Sequence, residues 1–309
     1  MKNLLNIFFI NLIILSIILF LIEIFTGSYL FGLKNCGYYE CNINEKYKIN
    51  LYTKEYKIIE YNKDKYGFRG KSKKLIDVDI VVVGGSTSNQ RFLNIEDTWV
   101  DKFENKLNKI GYEYDVISAG LDGQSSFGHV WNFDNWFNKI DNFKPKYIFF
   151  YLGINEHENI NNYDNPINLV EGYSILNKTK FYIKNNNGIL IKTYLRLKNH
   201  FQDDKLNVTH KKRKAIYNTI NNQTNINVDL KKFENNLKKL ILLTKEKQAI
   251  PVFITQKTLR WKKDNNKVYS VDNTNYYLKE KIISEKIIDI CKMNNIKCID
   301  VFKNLSLAV

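Results

Sequence analysis

The stretch that decides the fold is IVVVGGSTSNQRF, residues 80–92, where a run of β-branched residues meets two glycines and a serine. A continuous run of Ile and Val marks a strand buried on both faces, as in a parallel sheet covered by helices. Three roles are open to Ser86 at the mouth of such a strand: nucleophile, phosphate-cradling turn, or tight connection. No Gly-Lys-Ser/Thr and no G-x-G-x-x-G is present, which disfavours a phosphate loop. The elbow G-x-S-x-G is missed too, because Ser88 stands where its last glycine would be.

Outward from this strand the period alternates. Trp99, Phe103, Leu107 and Ile110 recur at helical spacing, with Glu96 and Asp97 placed to favour the helix start. Residues 115–118 read as a second strand. Val130, Phe133, Phe137 and Ile140 predict a second helix, started by Ser125 or Ser126. Residues 146–153, KYIFFYLG, are a third buried strand. Residues 157–227 break the rhythm with Asn-rich polar runs and read as an insertion or lid. Then Leu230, Phe233, Leu237, Leu240, Ile241 and Thr244 predict a helix, residues 250–255 a strand, Leu278, Ile282, Ile283, Ile287 and Ile290 a helix, and residues 297–302 a fifth strand. Strands alternating with helices imply parallel crossovers, helices on both faces of a parallel sheet and a three-layer α/β sandwich.

In such a sheet, ligands bind beyond the carboxyl ends of the strands. Three strands end in polar loops: Gly84-Gly85-Ser86-Thr87, SAGLDGQSS at residues 118–126, and Gly153-Ile154-Asn155-Glu156. Parallel strands put all three on one edge. The chemistry this pattern fits is acyl transfer, with a serine nucleophile and an oxyanion held by the Ser86 N–H, a glycine N–H of the second loop and the Asn155 amide. A glycine suits the second loop because the backbone there must approach substrate closely.

The order and spacing of these blocks resemble the SGNH (GDSL-type) hydrolase superfamily, and more narrowly its membrane-anchored bacterial members with a GGST nucleophile block. The lead-in YGFRG and the segment ENNLKKLILLTKEKQAIPVFIT also look like this group, so the resemblance covers roughly residues 60–302. It implies an SGNH/flavodoxin-like sandwich, Ser86 as nucleophile, and Gly123, with Gly120 as fallback, and Asn155 in the oxyanion hole. It also implies ester hydrolysis on acyl or acetyl esters of lipids or envelope glycans, without metal or organic cofactor. An O-acyltransferase, or a non-catalytic envelope protein binding a glycan or partner, is the alternative. Block I reads Gly-Gly-Ser where the wider family often has Gly-Asp-Ser, and Glu156 stands where it usually has Asp. A larger departure is the base: the family draws it from a C-terminal Asp-x-x-His. None of His129, His157, His200 and His210 has Asp three residues before it. The chain is expected to stop short of that block, leaving His157 as the nearest substitute.

Residues 4–25 form an apolar segment that spans about 33 Å as a helix, enough for a bilayer core. Asn6, Asn11 and Glu23 interrupt it, and Lys2 precedes it. An uncleaved signal anchor is expected, with the amino end cytoplasmic and the domain periplasmic or extracellular; a cleaved signal peptide is the other reading. The expected organisation is 1–26 transmembrane anchor, 27–78 membrane-proximal lead-in, and 79–309 hydrolase-like domain with the insertion at 157–227. The net charge of +15 comes from scattered lysines, and with no nucleic-acid motif it points to solvated faces rather than to a nucleic-acid partner. Cys36 and Cys41 could form a local disulfide on an oxidising side, and Cys291 and Cys298 read as ordinary buried thiols. No cysteine or histidine cluster has zinc spacing.

Overall fold

The computed structural model describes residues 2–27, 29, 43–51, 56–71, 78–156, 188–200, 207–210, 217–219, 228–264, 267–271 and 276–306. At its centre lies a five-stranded, all-parallel sheet built from β3 (Ile80–Gly84), β4 (Val116–Gly120), β5 (Tyr147–Tyr151), β8 (Ile250–Ile254) and β11 (Lys297–Ile299). Their order is β11-β8-β5-β3-β4, so in chain order the sheet reads 2-1-3-4-5, the flavodoxin-like arrangement. All five expected strands are present. The last is shorter than residues 297–302, because the Asp300 carboxylate accepts from Lys303 N (3.0 Å) and starts the helix α8 (Val301–Ser306).

The two faces of the sheet are read directly from alternate residues. Val81, Val83, Ile148, Phe150 and Phe253 point into the larger core, against α4 (Ser126–Asn135), α6 (Leu230–Glu246) and α7 (Tyr276–Asn294). Ile80, Val82, Val116, Tyr147 and Phe149 face α3 (Trp99–Lys109), which contributes Trp99, Val100, Phe103 and Leu107. Three of the four crossover helices end alike. After α3, α6 and α7 the chain reverses through Gly111 (φ 89°), Gln248 (φ 61°) and Asn295 (φ 49°). The next N–H then bonds back five residues: Tyr112 to Leu107 O, Ala249 to Thr244 O, and Ile296 to Cys291 O, at 3.0–3.1 Å. This is the Schellman stop, and it turns each helix straight into β4, β8 or β11.

The same reversal after α7 corrects the reading of the C-terminal cysteines as free thiols. It folds β11 back so that Cys298 lies opposite Cys291, with Cα atoms 6.1 Å apart, and the two are joined in a disulfide. Cys36 and Cys41 lie outside the described residues. The second helix is also shorter than its spacing predicts. It stops at Asn135, and a 3₁₀ turn (Phe137–Lys139) follows. Trp136 is drawn out of the helix to stack on Phe68 (4.9 Å) and to donate its Nε1–H to Tyr66 O (2.6 Å).

Outside the sandwich, β1 (Ile43–Leu51) and β2 (Lys57–Lys63) form an antiparallel pair, with Tyr47, Ile49, Ile59 and Tyr61 as a small separate core. Parts of the expected insertion are ordered elements. The helix α5 (Ile189–His200) meets the N-terminal helix α1 (Lys2–Thr26), β6 (Asn207–His210) adds to β1, and β7 (Tyr217–Thr219) joins a hairpin of β9 (Trp261–Asp264) and β10 (Lys267–Val271). Residues 5–26 of α1 are long and apolar enough to cross a membrane, with mean hydropathy 2.9; a signal sequence passes the same test.

Two leucines on α6 separate burial from composition. Leu237 is fully buried and Leu242 is 61% exposed. Leu237→Ala should cost about 2–5 kcal/mol, and Leu242→Ala should stay within about 0.5 kcal/mol, read from urea unfolding midpoints at constant m-value.

Candidate active site

The strand order reverses at β3: the chain passes from β3 out to β4, then returns across to β5. The crevice beyond the carboxyl ends of β3 and β5 is therefore the topological switch point. The loops that end in Ser86 and Asn155 flank it. Gly85 is extended (φ −84°, ψ −151°) and Ser86 opens the one-turn helix α2 (Ser86–Asn89). Ser86 is exposed, whereas Ser88 is 1% exposed and its Oγ has no hydrogen-bond partner. The two serines of STS thus differ in access, and only Ser86 can meet a substrate.

Asn155 is brought against this loop. A Cβ built on Gly85 would collide with Asn155 Nδ2, and the same nitrogen donates to Gln124 O at 3.0 Å. Gln124 follows Gly123, so the three polar loops meet at one amide. Gly123 is exposed and closes the turn Leu121–Gln124 with φ +80°; a Cβ there would meet open space. Its glycine is required by backbone conformation rather than by close approach. Close approach is found instead at Gly120, where a Cβ would run into the backbone of Ser88 and Asn89. Gly120 N–H is already given to Ser118 Oγ (3.1 Å), so the fallback position belongs to strand packing.

Residues to which the sequence reading gave no role in the site hold these loops in place. Gln256, just past β8, accepts Ile154 N–H at 2.7 Å and donates to Thr87 Oγ1 and Tyr151 O, both at 3.1 Å. It ties the Ser86 and Asn155 loops to a fourth strand end. Its signal was its place, one residue beyond the IPVFIT strand on the same edge. Glu156 is 1% exposed and accepts from Ser126 N (2.7 Å) and Ser126 Oγ (3.0 Å). The start of α4 is therefore capped by a carboxylate from the third block, while the Ser125 side chain makes no capping bond. Arg69, from the lead-in, is buried and gives its guanidinium to the carbonyls of Asn89, Gln90 and Leu93, fixing the segment that leaves α2. Beside Glu156, burial pulls the Lys279 amine below the ordinary lysine range, with the Glu156 charge opposing it.

His129 is the one histidine whose side chain is described. It is 1% exposed, its Nδ1 lies 3.2 Å from Gln124 Oε1, and burial pushes its pKa down to about 3. Gln124 and Asn132 clasp each other through both amides (2.8 and 3.0 Å), and the imidazole packs against that clasp. His129 is a structural neighbour of the Asn155 support and not a base for Ser86. His157 lies outside the described residues. Among the described residues no group of three or more His, Cys, Asp or Glu could hold a metal ion.

No family model matches the chain, and no curated protein matches it. Solved structures do. In fold the chain is similar to solved esterases and a GDSL-like lipase. An acetyl xylan esterase, AlAXEase, is 13% identical over 74% of this chain and 80% of its own, with a TM-score of 0.43. The psychrotrophic esterase EstA from Pseudoalteromonas sp. is 14% identical over 73% and 78%, with a TM-score of 0.39. A GDSL-like lipase from Bacteroides thetaiotaomicron is 10% identical over 76% and 73%, with a TM-score of 0.37.

The buried imidazole has a consequence for stability. An unfolded histidine titrates near pH 6.5, and His129 stays neutral in the fold down to about pH 3. Between those values the unfolded chain binds the extra proton, so stability is full above about pH 6.5 and falls as pH drops toward 3. Urea midpoints measured from pH 7 to pH 4 should decline, and His129→Asn should show a shallower decline than the unsubstituted protein.

Proposed function

We propose that the protein is a serine esterase of the SGNH type, acting on acyl or acetyl esters of lipids or envelope glycans. The observation that carries this reading is the single Asn155 amide that touches Gly85, next to Ser86, and bonds Gln124, next to Gly123. Three blocks distant in sequence meet there at the switch point of a parallel sheet. In the reaction, Ser86 Oγ attacks the ester carbonyl and its proton passes to a base. The tetrahedral oxyanion is held by the Ser86 N–H at the start of α2, the Gly123 N–H and the second N–H of the Asn155 amide. The alkoxide leaves with a proton, and water releases the acyl group from Ser86. With a sugar hydroxyl in place of water, the same site transfers the acyl group instead. The apolar α1 anchors the domain to the cytoplasmic membrane, with the hydrolase-like part on the periplasmic or extracellular side.

A second reading is supported by the state of His129. The described histidine near the site is buried, neutral and engaged with Gln124, so among the described residues no histidine serves Ser86 as a base. A non-catalytic protein that keeps the cleft to bind a glycan or partner fits that observation.

The two readings separate with a fluorophosphonate probe and a simple acetyl ester on the full chain. The esterase labels and turns over. Ser86→Ala abolishes both, Ser88→Ala keeps both, and Asn155→Ala lowers kcat by about 10²–10³-fold. A folded protein that neither labels nor hydrolyses, with a cleft that still binds ligand, is the binding protein.

A further inference from the structure

Glu23 is a carboxylate in the last turns of an otherwise apolar helix, and such a group is costly in a membrane segment unless it has partners. The structure supplies them. Glu23 Oε1 accepts from Gly188 N (2.5 Å) and Tyr29 OH (3.0 Å), and Oε2 accepts from Leu190 N (3.0 Å) and Ile191 N (3.2 Å). Ile189 N donates to Thr26 Oγ1 at 2.9 Å. The four N–H groups that a helix start leaves without intrahelical partners are thus all taken by the last turns of α1. Gly188 packs so closely on the Glu23 carbonyl that a Cβ has no room. The start of α5 is therefore fixed at the point where the apolar span ends.

The helix that leaves this junction covers no described core. Tyr194 and Leu197 are 61% and 54% exposed, and Ile189 and Leu190 are also exposed. Its sequence, ILIKTYLRLKNH, carries Lys192, Arg196 and Lys198 and no acid. Leu190, Tyr194 and Leu197 share one face at helical spacing, and Lys192 lies on the other. Twelve residues make a rod about 18 Å long. An apolar stripe with a tyrosine, flanked by Lys198 one turn beyond Tyr194 and backed by Lys192 and Arg196, starting at a membrane boundary, has the chemistry of a helix that lies in the headgroup layer. Its basic residues along the length argue against a course back through the hydrocarbon.

We propose that α5 is an interfacial foot, lying in the headgroup layer of the membrane that α1 crosses and held there by the Glu23 carboxylate. This rests on α1 being an anchor. It adds a second attachment, so the domain sits on the bilayer in a set orientation rather than swinging on one stalk.

The test uses the full chain in vesicles of phosphatidylcholine with a minor share of phosphatidylglycerol, with and without brominated phosphatidylcholine. Tyr194→Trp and Lys192→Trp are compared by the fluorescence each adds to the native tryptophans. The expected result is a blue-shifted contribution from position 194 that brominated lipid largely removes, and a contribution from 192 that it leaves. In the Tyr194→Trp background, Glu23→Leu should restore most of the emission while the protein stays in the membrane pellet after alkaline carbonate. The foot is overturned if position 194 is unquenched in protein that carbonate does not release, including the case where α5 is shielded by the protein itself. It is likewise overturned if Glu23→Leu leaves the quenching unchanged. Release by carbonate overturns the anchor and the foot together.

Discussion

A one-turn helix can sit on the end of a parallel sheet only if the strands beneath leave space for it. Here the space comes from three missing Cβ atoms. Side chains at Gly84, Gly85 and Gly120 would run into Ser88, Asn155 and the Asn89 backbone respectively. Gly84 and Gly120 face each other in the β3–β4 register, so the gap is a property of the paired strands and not of either alone. Glycine in a strand interior costs about 0.5–1 kcal/mol relative to alanine, and the sheet carries that cost at the edge where α2 docks. Everything at the candidate site, from the exposure of Ser86 to the reach of Asn155, follows from α2 lying this low.

The polar groups that surround α2 extend this constraint outward. Arg69 holds the carbonyls that follow α2, while its own backbone pairs with Ser118 on β4. Tyr61 OH reaches Asn89 Oδ1 at 2.9 Å, and Asn89 Nδ2 reaches Asp122 in the second loop at 2.9 Å. The lead-in is thus a brace for the site, linking β2, α2 and the Gly123 turn. These are buried or partly buried side-chain hydrogen bonds, some to backbone and some to other side chains, each weak in net terms but costly to leave half-made.

The sandwich was legible because its signals are local. A buried parallel strand is apolar at every position, as at residues 80–83, and α6 shows its stripe at Phe233, Leu237, Leu240, Ile241 and Thr244 without interruption. The three site blocks were legible because a parallel sheet forces strand ends to one edge. What stayed hidden depends on partners far away in sequence. The strand INEKYKINL, which the sequence reading left undivided within the lead-in 27–78, buries Tyr47 and Ile49 only because β2 supplies Ile59 and Tyr61 opposite. Gln256, Glu156 and Glu23 are ordinary polar residues until the fold reveals the N–H groups they meet. The Cys291–Cys298 bond required knowing that α7 reverses in two residues and returns alongside itself.

The pairing of β6 with β1 carries a consequence for how the chain assembles. Lys48 meets Asn207 and Leu51 meets His210, partners separated by roughly 160 residues, with β3, β4 and β5 lying between them in the chain. Closing a loop of that size is entropically costly before any contact rewards it. The β1–β2 hairpin and the β3–β4–β5 unit rest on shorter separations and can form first. Among the described strand pairings, that of β6 with β1 spans the longest separation, so the registration of β6 carries the largest loop-closure cost.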